Sequence, residues 1–233
     1  MRLNLRILLN MQQRCARFKE AGAHVGDVLK YSISNPSAVW LAGHSLGASI
    51  ALEVGRDMML KKGYNLPTFL FNPPHVSLLP VVNMLGVKEK AKRDVHINSY
   101  FLKHAIGMTI VKRQKQHMEA VFERLSPWVP ELYVNQGDII CNGFIDHFEL
   151  RQKTQERYPR IAKLAATLAY RDMLHLSAMS SLFGDKIKAR QHLLPSARLW
   201  KNESSYGKAH ELKQWWKPEG PELTLSSERY NWP

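Results

Sequence analysis

Apolar residues recur at helical spacing near the start of the chain. Leu8, Met11, Cys15, Phe18, Val25 and Leu29 fall on one stripe, with Arg14, Arg17, Lys19 and Glu20 off it. This spacing predicts an amphipathic helix in which Gly22 and Gly26 permit close packing. Ser34-Asn35-Pro36-Ser37 then reads as a turn. The pattern changes at Ala38-Val39-Trp40-Leu41-Ala42, a short unbroken apolar run suited to a strand buried on both faces. Helical periodicity returns over residues 48–62, with Ile50, Ala51, Val54, Met58 and Met59 on the apolar side. Lys61 and Lys62 complement the negative end of that helix, and Gly63 stops it. Pro67-Thr68-Phe69-Leu70-Phe71 is a second buried strand, ended by Asn72-Pro73-Pro74. Strand, helix and strand within about 35 residues make a βαβ unit, so the sheet is expected to be parallel.

Residues 75–130 carry few strand signals and mix apolar positions with Lys88, Lys90, Lys92, Arg93, Lys103, Lys112, Arg113 and Lys115. They read as a mostly helical insertion along one edge of the sheet. A third strand is expected at residues 131–135, a helix at 161–176, a fourth strand at 197–200 and an extended stretch at 222–225. The length of 233 residues and the absence of any linker-like tract fit a single domain spanning residues 1–233, long enough to bury a core unaided.

Composition narrows the function classes. The chain has 33 Lys+Arg and 20 Asp+Glu, a formal charge of +13. The basic residues are dispersed, and no helix-turn-helix, zinc-finger or RNA-recognition signature accompanies them, so nucleic acid is not an expected partner. Mixed with apolar residues, the basic set in 75–130 suits either a solvated insertion or a lid-like surface that touches anionic membrane lipid. Two cysteines, Cys15 and Cys141, are too few for a disulfide scaffold or a four-ligand zinc site, and read as thiols of a reducing compartment. No secretory signal or membrane-spanning stretch is evident, which points to a cytoplasmic or membrane-peripheral protein. No cofactor or metal is expected.

Gly43-His44-Ser45-Leu46-Gly47 is a G-x-S-x-G sequence between a strand and a helix, the context in which a serine can be raised above a sheet as a nucleophile. Glycine at 43 and 47 is expected because side chains there would collide across the sharp turn. The Leu46 N–H, at a helix N-terminus, points to where an oxyanion would form. Serine needs a base, and the base needs an orienting carboxylate. With the chain order Ser, Asp/Glu, His, Asp138 follows the third strand, while Asp146 is a weaker candidate on a later loop. The histidines after Asp138 are His147, His175, His192 and His210. His210, beyond the fourth strand, can return to the same edge; His192 is second choice.

The run Val39-Trp40-Leu41-Ala42-Gly43-His44-Ser45-Leu46-Gly47-Ala48 resembles the nucleophile segment of class 3 (fungal-type) lipases. Taken with Phe69-Leu70-Phe71-Asn72-Pro73-Pro74, Tyr133-Val134-Asn135-Gln136-Gly137-Asp138 and Ala209-His210-Glu211-Leu212-Lys213-Gln214-Trp215-Trp216, it is similar to a plant subgroup often labelled GDSL esterase/lipase, although no Gly-Asp-Ser-Leu run is present. The resemblance implies an α/β-hydrolase fold and hydrolysis of lipid or other acyl esters. It also implies a triad of Ser45, Asp138 and His210, with Leu46 as oxyanion donor. Hydrolases of this type carry strands and a loop ahead of the serine strand, and that loop supplies a second oxyanion N–H. Here one helix precedes Ser45. A shortened, impaired or non-catalytic form of the fold is therefore the alternative expectation.

Overall fold

The computed structural model describes residues 16–31, 38–75, 112–159, 194–203, 209–216 and 225–232. Five strands lie side by side in chain order: β1 (Leu41–His44), β2 (Thr68–Phe71), β3 (Glu131–Asn135), β4 (Ala197–Asn202) and β5 (Leu225–Tyr230). β1 to β4 are mutually parallel, and β5 returns antiparallel along β4. The described helices are α1 (Ala16–Tyr31), α2 (Leu46–Lys62), α3 (Lys112–Leu125) and α4 (Gly143–Arg157). This is an α/β fold with a mostly parallel sheet flanked by helices, and α2, α3 and α4 each sit in a crossover between parallel strands.

One hydrophobic cluster joins Leu41, Leu70, Leu132, Val134, Ala197 and Leu199 of the sheet to Val54 and Met58 of α2, Leu125 of α3, Trp128, and Phe144 and Phe148 of α4. Each fully buried side chain of this size contributes about 1.5–3 kcal/mol. α2 begins right after β1 and lies against β1 and β2, so the start of this helix is anchored to the sheet. Its far end closes with Gly63 at φ 71, where the Gly63 and Tyr64 amides donate to the Met59 and Met58 carbonyls. α2 also buries an ion pair, Arg56 with Glu53 at 3.2 Å, which its apolar stripe did not foretell.

Several expectations are corrected. The first strand is Leu41–His44, later than residues 38–42, and Trp40 is 66% exposed. The strands are not buried on both faces. Thr68 and Leu70 are buried while Phe69 and Phe71 are half-buried. The reason is visible in the rings, which cover one another across the sheet: Trp40 on Phe69 at 5.4 Å, Phe71 on Tyr133 at 4.6 Å, Tyr133 on Trp200 at 5.8 Å. An aromatic face of this kind reads in sequence as a buried one.

Among the described residues, nothing lies within 4 Å of where a Cβ on Gly22 or Gly26 of α1 would be, so the close packing expected there is not seen among them. Of the helical stripe, Phe18 and Leu29 are buried, and the positions before residue 16 lie outside the described residues. Asp146 is on α4, not on a loop. The sequence hid that helix because its buried residues, Gly143, Phe144, Phe148 and Arg151, include only two large apolar side chains. Arg151 donates to the Leu194 and Pro195 carbonyls and covers the Phe148 ring. The expected helix at 161–176 and residues 76–111 of the insertion fall outside the described residues. The described end of the insertion contributes Phe122, Leu125 and Trp128 to the core.

Candidate active site

The C-terminal ends of β1 to β4 share one edge, where open α/β sheets hold their ligands. Ser45 leaves β1 there. Its N–H continues the ladder to the Phe71 carbonyl at 2.9 Å, yet its backbone has φ 52 and ψ −119, a conformation that costs a non-glycine residue about 1–3 kcal/mol. The chain then turns directly into α2. At that turn the backbone of Gly43 passes against that of Gly47: a Cβ on Gly43 would lie 2.4 Å from the Gly47 carbonyl carbon and oxygen. Among the described residues a Cβ on Gly47 would meet nothing within 4 Å, so among them the steric requirement expected of both glycines holds for Gly43 alone. Gly43→Ala is expected to destabilise the chain by at least the ~1–3 kcal/mol of an overpacked core. Gly47→Ala, within α2, is expected to stabilise by up to about 1 kcal/mol. Thermal midpoints of the two variants, moving in opposite directions, check the pair.

Ser45 stands at the N-cap of α2, where a serine side chain ordinarily accepts from helix amides; it makes no such bond. Its Oγ lies 2.9 Å from His210 Nε2, and His210 Nδ1 lies 2.7 Å from Asp138 Oδ2. The structure thus brings together Ser45, His210 and Asp138, residues separated by up to 165 positions in the chain. Because the carboxylate only accepts, Nδ1 carries the hydrogen, and the Nε2 lone pair faces the serine hydroxyl. His175 and His192 lie outside the described residues. The His147 ring packs with His75 and Phe148 instead. Leu46 is the first residue of α2, so its N–H is among the amides without an acceptor inside the helix.

Asp138 is 4% exposed and closes the turn after β3, its N–H donating to the Asn135 carbonyl. Burial pushes its pKa up. Hydrogen bonds from His210, Cys141, Asn72 and the Ile140 amide prevail and hold it below the ordinary carboxylate value. Cys141, a buried thiol, donates to Asp138 Oδ2 at 3.1 Å; burial and the neighbouring carboxylate push its own pKa strongly up, so it stays protonated. Cys15 is outside the described residues. Ile139 and Ile140, which follow Asp138 in the chain, and Trp216, six residues after His210, are exposed.

Sequence reading missed a set of amides. Asn72, just beyond β2 at φ 47, is fully buried and donates to Asp138 Oδ2 at 2.7 Å. Asn135 and Asn202, the last residues of β3 and β4, are buried in register with each other. The available signal was an asparagine at or just after the end of three successive strands, where an apolar run stops. Among the described residues, no group of three His, Cys, Asp or Glu side chains is placed to hold a metal ion, and no helix is long and apolar enough to cross a membrane.

The chain is 34% identical over 197 residues to a GDSL esterase/lipase of Arabidopsis thaliana, a match that covers 78% of this chain. It spans about half (51%) of that relative's length. No family model matches, and no solved structure does.

Proposed function

We propose that this chain is a serine-dependent carboxylic ester hydrolase of the α/β-hydrolase type, with Ser45, His210 and Asp138 as its triad and with a nucleophile segment of the class 3 lipase kind. The observation that carries the reading is the hydrogen-bonded series Ser45–His210–Asp138, at 2.9 and 2.7 Å, on a strand–turn–helix serine with φ 52. The relative's esterase/lipase name supports the same class of activity. With no Gly-Asp-Ser-Leu run in the sequence, the nucleophile is assigned to the G-x-S-x-G serine.

In this mechanism Ser45 Oγ attacks the acyl carbonyl as its proton passes to His210 Nε2. The Asp138 carboxylate holds the ring in the required tautomer and stabilises the imidazolium. The Leu46 N–H donates to the developing oxyanion. His210 then returns the proton to the departing alcohol oxygen, which leaves the acyl group on Ser45. A water molecule, deprotonated by His210, attacks that ester and regenerates the hydroxyl. The exposed apolar residues Ile139, Ile140 and Trp216, close in sequence to Asp138 and His210, support an apolar acyl group, and lipid and other acyl esters are the substrate class of this reading. The basic insertion supports peripheral contact with anionic membrane.

A fluorophosphonate probe tests the nucleophile. Labelling of the intact chain that disappears in Ser45→Ala is expected. Absence of labelling in the folded wild-type chain, or labelling that persists in Ser45→Ala, sinks the reading and leaves a non-catalytic member of the fold.

A further inference from the structure

The segment that carries His210 is held by side chains from the ends of all four parallel strands. His44, the last residue of β1, donates from Nε2 to the His210 carbonyl at 2.8 Å. Asn72, after β2, donates to the Ala209 carbonyl at 3.0 Å. Gln214 Nε2 donates to the Ala209 carbonyl at 2.7 Å and to the Glu211 carbonyl at 2.9 Å. Its Oε1 accepts from Asn135 at 2.6 Å and from Asn202 at 3.2 Å, on the ends of β3 and β4. Three consecutive carbonyls, 209 to 211, are therefore tied by side chains, with His210 in the middle.

An amide has two N–H donors and one oxygen with two lone pairs. Gln214 uses all of them: its two N–H groups face the carbonyls on both sides of His210 and, at the longer distance of 3.3 Å, Asn72 Oδ1, while its oxygen accepts from two buried strand-end asparagines. We infer that Gln214 is a positioning residue for His210: it fixes the imidazole on Ser45 through the backbone and touches no reacting atom. The inference rests on the reading of Ser45 as nucleophile for its kinetic consequence, and on geometry alone for the hydrogen bond that it preserves. A carboxylate or thioether at this position keeps the volume and loses both donations, so residues 209–211 shift. A misplacement of about 1 Å at a reacting group costs on the order of 10²-fold in rate.

The experiment compares Gln214→Glu and Gln214→Met with the wild type, each also combined with His210→Ala. Fluorophosphonate labelling rates, thermal midpoints and the downfield NMR proton of the His210–Asp138 hydrogen bond are followed. Gln214 is part-exposed, so both variants are expected to fold. Labelling should fall by about 10–100-fold in either variant, with no further loss in the His210→Ala background. The downfield proton should broaden or vanish, while Gln214→Asn recovers part of both signals. Equal losses with and without His210 would mean a merely structural role and overturn the inference. So would labelling within about twofold of wild type with an unchanged proton. Unfolding of both variants beside a Gln214→Asn chain that labels at the wild-type rate would overturn it too. A wild-type chain that does not label at all defeats the hydrolase reading instead, and the proton signal then decides the inference by itself.

Discussion

Replacing His210 with alanine is expected to lower ester hydrolysis by on the order of 10⁶-fold, about as much as Ser45→Ala, with the double variant no worse than either. Triad members act as a unit: without the imidazole the Ser45 hydroxyl keeps its proton, and the alcohol departs without one. The His210 side chain is 35% exposed, so truncation opens no core cavity and the thermal midpoint should stay close to wild type. Steady-state hydrolysis of a p-nitrophenyl acyl ester, with midpoints measured alongside, gives the answer. A loss below about tenfold would place the base elsewhere and detach His210 from the chemistry.

How far the sequence disclosed this site follows from what each residue needs locally. Ser45 was legible because its turn writes itself into neighbouring positions: an apolar strand before it, a glycine where backbone approaches backbone, an apolar helix after it. β3 and β4 were legible as compact apolar runs, and βαβ spacing was enough to foresee parallel pairing. Asp138 could be read from its place after β3. His210 needed more, since nothing between residues 138 and 210 fixes the path of the chain; only the three-dimensional return to the strand ends separates it from the other histidines.

The amides were invisible for a different reason. Asn72, Asn135, Asn202 and Gln214 are polar residues at strand ends and in a short helical turn, positions where solvated loop residues are ordinary. Their meaning lies wholly in long-range partners, as with Gln214 holding Asn135 across 79 positions. α4 failed to register because a long arginine, capping two carbonyls, takes a core position that periodicity counts as surface. The two-sided burial expected of β2 failed because aromatic side chains write the same apolar run whether helices or neighbouring rings cover them.

The second large effect concerns Asp138. Asp138→Asn is expected to reduce hydrolysis by about 10⁴-fold, because an amide facing Nδ1 donates a hydrogen to it and drives the imidazole proton onto Nε2. Nε2 can then no longer accept from Ser45, although every heavy atom stays in place. The same substitution changes how stability depends on pH. The folded-state pKa of Asp138 is depressed, since the donors around it outweigh its burial, so between the folded and unfolded values the folded chain binds fewer protons than the unfolded chain. Its stabilisation is complete above the unfolded value of about 3.9 and disappears as pH falls through the folded one. The midpoint difference between wild type and Asp138→Asn should therefore be flat from about pH 5 upward and change steadily in favour of the variant below about pH 4. Thermal melts of both proteins from pH 2 to 7 measure that difference. A constant offset across the range would mean that the carboxylate is not held charged by His210, Asn72, Cys141 and the Ile140 amide, and a variant that keeps more than a tenth of wild-type hydrolysis would mean that His210 does not depend on it for its tautomer.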